Sequence, residues 1–315
     1  MRLLSLLLAI LTLLLPGCSV PQHCKKDSPQ RVDTPTRQRQ LLAQFDSASI
    51  GGFQVFVPKK QQNGPPVLVL HEMPALSPDV LELALRLSRQ NYSVYVPLLW
   101  GKPDHNTDSQ LLFLRYAVEL RSSPRWRAAE ADVDRPILDE LASLCRLIAD
   151  AHPKHRIGVI GNCITGVFPF ALAARVPKVA APIGSQPTLP ITLSGADAAK
   201  TGLSAKETAL LSSRIQTDPS FQMLGFRFAG DRNCRKERFD TFESHFGSSF
   251  LNGTIPLELY HGRDGMPEHP HAVLTECHSD DPSFATAQGW QNCLDFLSAK
   301  LSGARAQTHT FQPYK

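Results

Sequence analysis

The sequence lacks the short motifs and charge clusters that identify several protein classes. It contains no CxxC pair and no HExxH motif, which argues against a dithiol redox centre and against common zinc sites. Its 33 Lys and Arg residues nearly balance its 29 Asp and Glu residues, and basic residues cluster no further than pairs such as Lys25-Lys26. We therefore expect no nucleic-acid partner, and no metal or organic cofactor is implied.

The composition is that of a soluble globular protein. Of the 315 residues, 42% are hydrophobic and 20% are charged, with a mean hydropathy of -0.16. These values exclude collagen-like, coiled-coil and fully disordered chains. The length favours one domain of catalytic size with appendages at its ends.

The N-terminus predicts export. A basic residue, Arg2, precedes the apolar stretch Leu3–Leu15, which is too short to span a bilayer stably. Residues 1–17 are therefore predicted to be a signal peptide, and the mature protein is expected on the periplasmic side of a bacterial membrane.

The end of this segment predicts a lipoprotein. Leu15-Pro16-Gly17-Cys18 resembles a bacterial lipobox, in which a cysteine after a small residue is acylated, for example with palmitate, and becomes the mature N-terminus. Pro16 is atypical of a lipobox. Ser19, rather than Asp, after the cysteine favours the outer membrane. We therefore expect Cys18 to be a lipid anchor that holds the protein on the membrane, with a plain cleaved signal peptide as the alternative.

Composition also divides the rest of the chain. Residues 18–39 are polar and rich in Pro, Gln, Arg and Lys, which predicts a flexible tether. A single domain is predicted over 40–301, followed by a tail, 302–315. Within the domain, Cys277 and Cys293 could form a disulfide, and Cys234 could reach the same loop, while buried free thiols remain an equal alternative.

Apolar runs alternate with segments of helical spacing through the predicted domain. The run Val67–Leu70 is bounded by turn residues and is typical of a central strand, and a hairpin is expected before it around Gly51-Gly52. The region 101–134 is polar and is expected to be loop-like. This alternation predicts a doubly wound, mostly parallel sheet with helices on both faces. The predicted strands are 67–70, 92–98, 157–160, 179–183, 223–228 and 255–260, and the predicted helices lie at 80–90, 136–152, 168–175, 204–215, 235–246 and 282–301.

One junction between a strand and a helix has the pattern of a nucleophile elbow. In Gly161-Asn162-Cys163-Ile164-Thr165-Gly166, small residues flank a turn that would raise Cys163 above the carboxyl ends of the strands. Thr165 stands where the usual elbow has glycine. A buried core cysteine is the alternative interpretation.

Three segments together resemble the dienelactone hydrolase family of α/β hydrolases. They are Val67–Glu72, Gly161–Gly166 and Ser185–Pro190, and the agreement runs in order from about residue 40 to residue 301. The resemblance implies the α/β-hydrolase fold and hydrolysis of a lactone or ester by a Cys, a His and an Asp.

In this fold the acid follows a late strand and the histidine follows the last one. Asp231 comes directly after the strand 223–228, so it is predicted to be the acid, with Asp264 as a weaker rival. His271 lies in a segment that resembles the family's histidine segment, and it is predicted to be the base. The rivals are His269 and His278, whereas His261 and His71 are less suitable.

The resemblance adds a second carboxylate and an oxyanion hole. Glu72 stands where the family places a Glu beside the nucleophile, and its carboxylate is expected to hydrogen-bond the resting thiol of Cys163. The backbone N–H groups of Met73 and Ile164 are expected to stabilise the oxyanion.

The predicted function is hydrolysis of a small ester or lactone through a thioester on Cys163. A catalytically silent ligand-binding lipoprotein of the same fold is the alternative. The polar region holds four arginines that could pair with a substrate carboxylate or form a solvated face. They are Arg115, Arg121, Arg125 and Arg127.

Overall fold

The computed structural model describes residues 34–61, 63–107, 109–190, 197–263, 265–301 and 314. The predicted signal peptide, Cys18 and most of the predicted tether therefore lie outside the described residues. Of the predicted tail, only Tyr314 is described, and its hydroxyl donates to the Gly253 carbonyl at 3.2 Å.

The described chain forms one eight-stranded sheet with strand order β1-β2-β4-β3-β5-β6-β7-β8. The pairs β1–β2 and β2–β4 are antiparallel, and every other neighbouring pair is parallel. The strands are β1 (Phe45–Ile50), β2 (Phe53–Pro58), β3 (Pro66–Leu70), β4 (Ser93–Pro97), β5 (Ile157–Asn162), β6 (Val179–Ser185), β7 (Met223–Phe228) and β8 (Phe250–Ile255).

Helices cover both faces of this sheet, each face with its own apolar core. Residues of α3, α4, α5 and α7 pack in one core, and residues of α1, α2 and α8 pack in the other. The helices are α1 (Thr34–Leu42), α2 (Pro78–Arg89), α3 (Gln110–Ser122), α4 (Pro136–Ala151), α5 (Phe168–Arg175), α6 (Ala205–Thr217), α7 (Lys236–Phe246) and α8 (Ala285–Leu301). This architecture is the predicted α/β-hydrolase fold, doubly wound and mostly parallel. None of the described helices is both long and apolar enough to cross a membrane.

Local sequence explains the central elements. All five residues of β3 are buried, as expected for a central strand covered on both faces. Helix α2 begins after Ser77, whose hydroxyl accepts from the Val80 amide at 3.3 Å, and Pro78 occupies its first turn. Asn91, just beyond the helix, adopts a φ of 66°, which ends the helical conformation.

Three elements differ from the prediction. Helix α1 begins at Thr34, before the expected start of the domain at residue 40. Helix α3 lies inside the region that was expected to be loop-like. The prediction missed this helix because its apolar residues are too mixed with polar ones to give a clear helical period. The prediction of a last strand at 255–260 is wrong: β8 ends at Ile255, since Pro256 has no N–H for the ladder, and Leu257–Leu259 form a 3-10 turn.

Neither of the pairings considered for Cys277, with Cys293 or with Cys234, forms, and the alternative of buried free thiols is confirmed for Cys234 and Cys293. Cys277 is disulfide-bonded, but Cys234 and Cys293 are both buried free thiols. The loop that contains Cys277 is therefore linked to neither of the two cysteines considered for it.

Candidate active site

Cys163 lies at the junction of β5 and a short 3-10 turn, Cys163–Thr165. Its φ is 54°, a left-handed conformation that is costly for a residue with a side chain. The turn needs close backbone packing on either side. A Cβ atom on Gly161 would lie 2.1 Å from the Thr165 carbonyl oxygen, and one on Gly166 would lie 2.6 Å from the Pro187 Cα. Both glycines are therefore required by space.

Thr165, where the usual elbow has glycine, contributes hydrogen bonds to the turn. Its hydroxyl accepts from the Asn162 amide at 3.0 Å. The same hydroxyl can donate to the carbonyl oxygen of Leu70 at 3.3 Å or of His71 at 3.2 Å. The departure from glycine thus connects the end of β3 to the end of β5, next to the cysteine.

The thiol of Cys163 has a hydroxyl neighbour from the segment after β6. Thr188 Oγ1 lies 3.5 Å from the Cys163 sulfur and can donate to it, and the Thr188 amide donates to the Cys163 carbonyl at 3.0 Å. The relative solvent exposure of Cys163 is 8%, so the residue is buried but still partly accessible to solvent.

Asp231 and His271 are directly bonded. His271 Nδ1 lies 2.7 Å from Asp231 Oδ2, and both side chains are almost fully buried. The other carboxylate oxygen, Oδ1, accepts from the Asn233 amide at 2.8 Å and from the Cys234 amide at 3.0 Å. Backbone donors therefore orient the carboxylate, and the carboxylate orients the imidazole with its proton on Nδ1.

The environment of His271 favours proton uptake. Burial alone would lower the pKa of His271, but Asp231 and the Cys163 thiol act in the opposite direction through charge and hydrogen bonding. The pKa is therefore raised well above its usual value. Its second nitrogen, Nε2, is buried, and among the described residues no hydrogen bond to it meets the usual distance and angle limits. The Cys163 thiol is nonetheless close enough to influence the imidazole. The imidazole thus has a nitrogen that can receive a proton beside a thiol.

Glu72 lies in the same cavity as Cys163 and His271. Burial raises the pKa of Glu72 to about 7, although the Thr275 hydroxyl and the charge of His271 lower it. The expected hydrogen bond from Glu72 to the Cys163 thiol is not among the contacts of the described residues. Instead the Glu72 carboxylate accepts from Gln186 Nε2 at 3.4 Å, while Thr188 occupies the contact with the thiol.

Of the two backbone positions expected for an oxyanion hole, one borders this cavity and the other adjoins Cys163 in the chain. Met73 lines it directly, and Ile164 follows Cys163 within the 3-10 turn.

The rival residues have other partners. His278 Nε2 lies 3.0 Å from Asp280, and His269 Nδ1 lies 3.2 Å from the Gly230 carbonyl. His71 Nε2 accepts from the Leu99 amide at 3.0 Å, and burial lowers the pKa of His71 to about 4, so it is a neutral structural residue. His261 is exposed, and Asp264 lies outside the described residues.

Sequence reasoning did not identify Gln186 as a site residue. It is fully buried with a φ of 39°, its amide nitrogen donates to Glu72, and its side-chain oxygen accepts from the Val273 amide at 3.3 Å. Gln186 therefore connects Glu72 to the loop that carries His271. A polar residue directly after a fully buried strand was the available signal.

The wall of the cavity includes residues of α1, from the segment that was expected to be a tether. Thr34 and Arg37 line it together with Phe113 of α3, and its volume is about 80 Å³. Among the described residues, no group of three or more His, Cys, Asp or Glu side chains is arranged to hold a metal ion.

The chain is similar to one family model and to several solved structures. Residues 53–209 match the model of the dienelactone hydrolase family. A Klebsiella pneumoniae protein, solved as a proposed dienelactone hydrolase, is 20% identical with a TM-score of 0.51 and covers 81% of this chain and 98% of its own. A Pyrococcus furiosus esterase is 10% identical with a TM-score of 0.48 and covers 89% of this chain and 99% of its own. No curated protein matches the sequence.

Proposed function

Since this chain is an α/β hydrolase that belongs to the dienelactone hydrolase family, we propose that it cleaves a small ester or lactone with Cys163 as nucleophile, His271 as base and Asp231 as acid. The observation that carries the proposal is the buried pair of His271 and Asp231, 2.7 Å apart, next to a cysteine in a strained turn. That arrangement is what a thiol nucleophile requires for activation.

The first half of the reaction forms a thioester. His271 Nε2 takes the thiol proton of Cys163, and the thiolate attacks the substrate carbonyl carbon. The Met73 and Ile164 amides stabilise the resulting oxyanion. As the tetrahedral intermediate collapses, the ester C–O bond breaks and His271 returns the proton to the leaving alkoxide.

The second half returns the enzyme to its resting state. His271 removes a proton from water, and the hydroxide attacks the thioester carbon. The C–S bond then breaks to release the acid, and His271 returns the proton to the departing sulfur of Cys163. Asp231 stabilises the imidazolium that forms in each half, because its negative charge lies against Nδ1.

Glu72 has a modulating role in the proposal. Its carboxyl, with a pKa of about 7, is neutral at lower pH and becomes an anion at higher pH. An anion in the cavity of Cys163 opposes formation of the thiolate, so Glu72 favours the resting thiol until substrate enters.

The test uses the purified protein with activated esters, such as 4-nitrophenyl acetate, and a panel of lactones. We expect turnover and a covalent acyl adduct on the peptide that contains Cys163, detected by mass spectrometry. If wild-type protein forms the acyl adduct without turnover, or shows neither the adduct nor turnover, the result would favour a catalytically silent ligand-binding protein instead.

We also propose that Cys18 is acylated and anchors the domain at the periplasmic face of the outer membrane. The supporting pattern is Gly17-Cys18-Ser19 after an apolar segment. Fifteen residues, 19–33, separate Cys18 from α1, which allows at most about 50 Å of extended chain. We expect Cys18→Ser to move the protein from the membrane fraction to the soluble fraction. Recovery of wild-type protein as a soluble form with unmodified Cys18 would contradict the anchor.

A further inference from the structure

The cavity at Cys163 is lined by more carboxylates than cations. Its described lining includes three acidic side chains, Glu72, Asp79 and Glu276, and one permanently charged basic side chain, Arg37. The imidazole of the candidate base is paired with the Asp231 carboxylate, which balances its charge, and the other described lining residues are neutral. A ligand in this cavity therefore meets an excess of negative charge.

Arg37, the single permanent cation of the described lining, is already paired. Its Nη2 lies 2.9 Å from Asp79 and 2.7 Å from Glu82, and its Nε donates to Glu82 at 3.1 Å. Burial lowers the pKa of Arg37, but the two carboxylates raise it more, so the guanidinium stays charged and bound to them. A substrate carboxylate would have to displace one of these partners.

Helix α1 is held in place by contacts other than the ion pairs of Arg37. The side-chain amide of Gln38 donates to the Leu76 carbonyl at 2.7 Å and to the Pro103 carbonyl at 2.8 Å. Leu41 is buried in the core on that face of the sheet. The position of Arg37 in the wall thus has support that does not depend on its own charge.

The four arginines of the region 101–134 do not supply another cation. None of them lines the cavity in the described part of the chain. Arg125 pairs with Glu140 at 2.7 Å, and Arg127 pairs with Glu130. Arg115 packs on the ring of Tyr116, 5.5 Å from its centroid.

We propose that this site selects uncharged acyl groups and rejects esters whose acyl group carries a carboxylate. The proposal rests on the proposed function and names its substrate class. Repulsion comes from Glu276 and from the Arg37 cluster, in which two carboxylates outnumber one guanidinium. It acts together with the absence of an available cation in the described lining, in a partly enclosed cleft where charges are weakly screened. Neutral esters and lactones without a free acid are then the substrates.

The direct test compares two substrates that differ only in this charge. They are mono-4-nitrophenyl adipate, whose chain is too long for fast attack by its own carboxylate, and the same compound with its carboxylate capped as a methyl ester. Each rate is corrected for spontaneous hydrolysis and normalised to the rate in hydroxide alone. We expect kcat/KM to favour the neutral compound by about tenfold or more, and added salt to reduce the ratio. Equal values, or a preference for the anion, would overturn the selectivity but leave the hydrolase standing. Hydrolysis of neither compound would remove the proposed function together with it.

A variant tests the cause of the selectivity. Asp79→Asn combined with Glu82→Gln removes both partners of Arg37, so the guanidinium becomes available to a substrate carboxylate. We expect the ratio of kcat/KM for the two compounds to shift toward the anionic compound by about tenfold. Adding Arg37→Ala to this double variant should reverse part of that shift. The matched control is Glu130→Gln, which releases Arg127 away from the cavity and should leave the ratio unchanged. Circular dichroism confirms that each variant is folded. An unchanged ratio in a folded double variant would refute the role of the Arg37 pairs.

Discussion

Cys163 and the pair formed by Asp231 and His271 belong to the same site, but the chain positions them in different ways. The cysteine is fixed by its neighbours in sequence: a left-handed φ, two glycines packed against backbone atoms, and the hydroxyl of Thr165 within the same turn. The carboxylate of the acid is oriented in part by the nearby amides of Asn233 and Cys234, but the base is fixed by contacts with distant segments.

The loop of His271 shows this dependence on distant segments. Asp231 lies forty residues before His271, and Gln186 is 87 residues from the Val273 amide that it binds. From the other side, Arg86 Nη2 donates to the Leu274 carbonyl at 2.6 Å. The comparison teaches that the nucleophile is specified by a local pattern, whereas the charge that activates it is specified by the tertiary structure.

The largest expected effect is at the locally specified residue. Cys163→Ala removes the attacking atom, so we expect kcat/KM to fall by about a thousandfold or more, measured with 4-nitrophenyl acetate. Cys163→Ser should retain weak activity, because the hydroxyl is less acidic than the thiol. Cys145→Ala, which removes a buried thiol of α4, is the control and should retain full turnover. Undiminished turnover by Cys163→Ala would rule out this nucleophile.

Variants at the base and acid test the tertiary half of the comparison. His271→Ala and Asp231→Asn should each lower kcat by about a hundredfold to ten-thousandfold, because neither variant can form and stabilise the imidazolium. His278→Ala is the matched control, since His278 pairs with Asp280, and its effect should be slight. Larger losses at His278 than at His271 would require a different base.

Gln186 tests whether a residue that contacts no substrate supports the base. Gln186→Ala leaves the Glu72 carboxyl and the Val273 amide without their buried partner, so we expect about a tenfold loss of kcat. Because a donor to Glu72 is lost, the ionisation of Glu72 seen in the pH profile should move to higher pH. Gln222→Ala, a buried glutamine bonded to Lys300, should alter stability without moving that profile. An unmoved profile in Gln186→Ala would show that the residue only supports the fold.

The smallest effect concerns the stability cost of Glu72. Burial raises its pKa from 4.5 to about 7, so between these values the unfolded chain releases a proton that the folded protein keeps. The protonated carboxyl contributes its full stability below the unfolded pKa of 4.5. That contribution is lost as the pH rises through the folded pKa of about 7. We expect Glu72→Gln to gain about 1–3 kcal/mol over wild type between about pH 4 and about pH 8, measured by urea unfolding. Exposed Glu119→Gln should show no such gain, and a constant difference across this range would contradict the buried carboxylate.

The same contrast explains what the sequence could predict. The run Val67–Leu70 and the Gly161–Gly166 turn carry strong local patterns, and both the central strand and the elbow follow from them. Strand β8 was misplaced because Asn252 and Gly253 weaken its pattern, while the alternating residues after Pro256 imitate a strand.

The site shows the same division. Asp231 and His271 were selected through a family resemblance and not from local chemistry, whereas Gln186, Thr188 and Arg37 are ordinary polar residues in the sequence. Their contacts with Glu72, Cys163 and Asp79 exist only after the sheet has formed. Apart from the position of Gln186 directly after a buried strand, no periodicity or spacing marks them.

Three buried cysteines give the molecule internal reporters of unfolding. Cys145, Cys234 and Cys293 are fully covered free thiols, and burial raises the pKa of each to about 12, so alkylating reagents cannot reach a thiolate there while the fold is intact. They lie on α4, beside Asp231 and on α8, which are three separate parts of the structure. Pulsed alkylation with residue-level peptide mapping would therefore time the opening of each part, and equal rates at all three would show that the sheet and both helical layers open in one step.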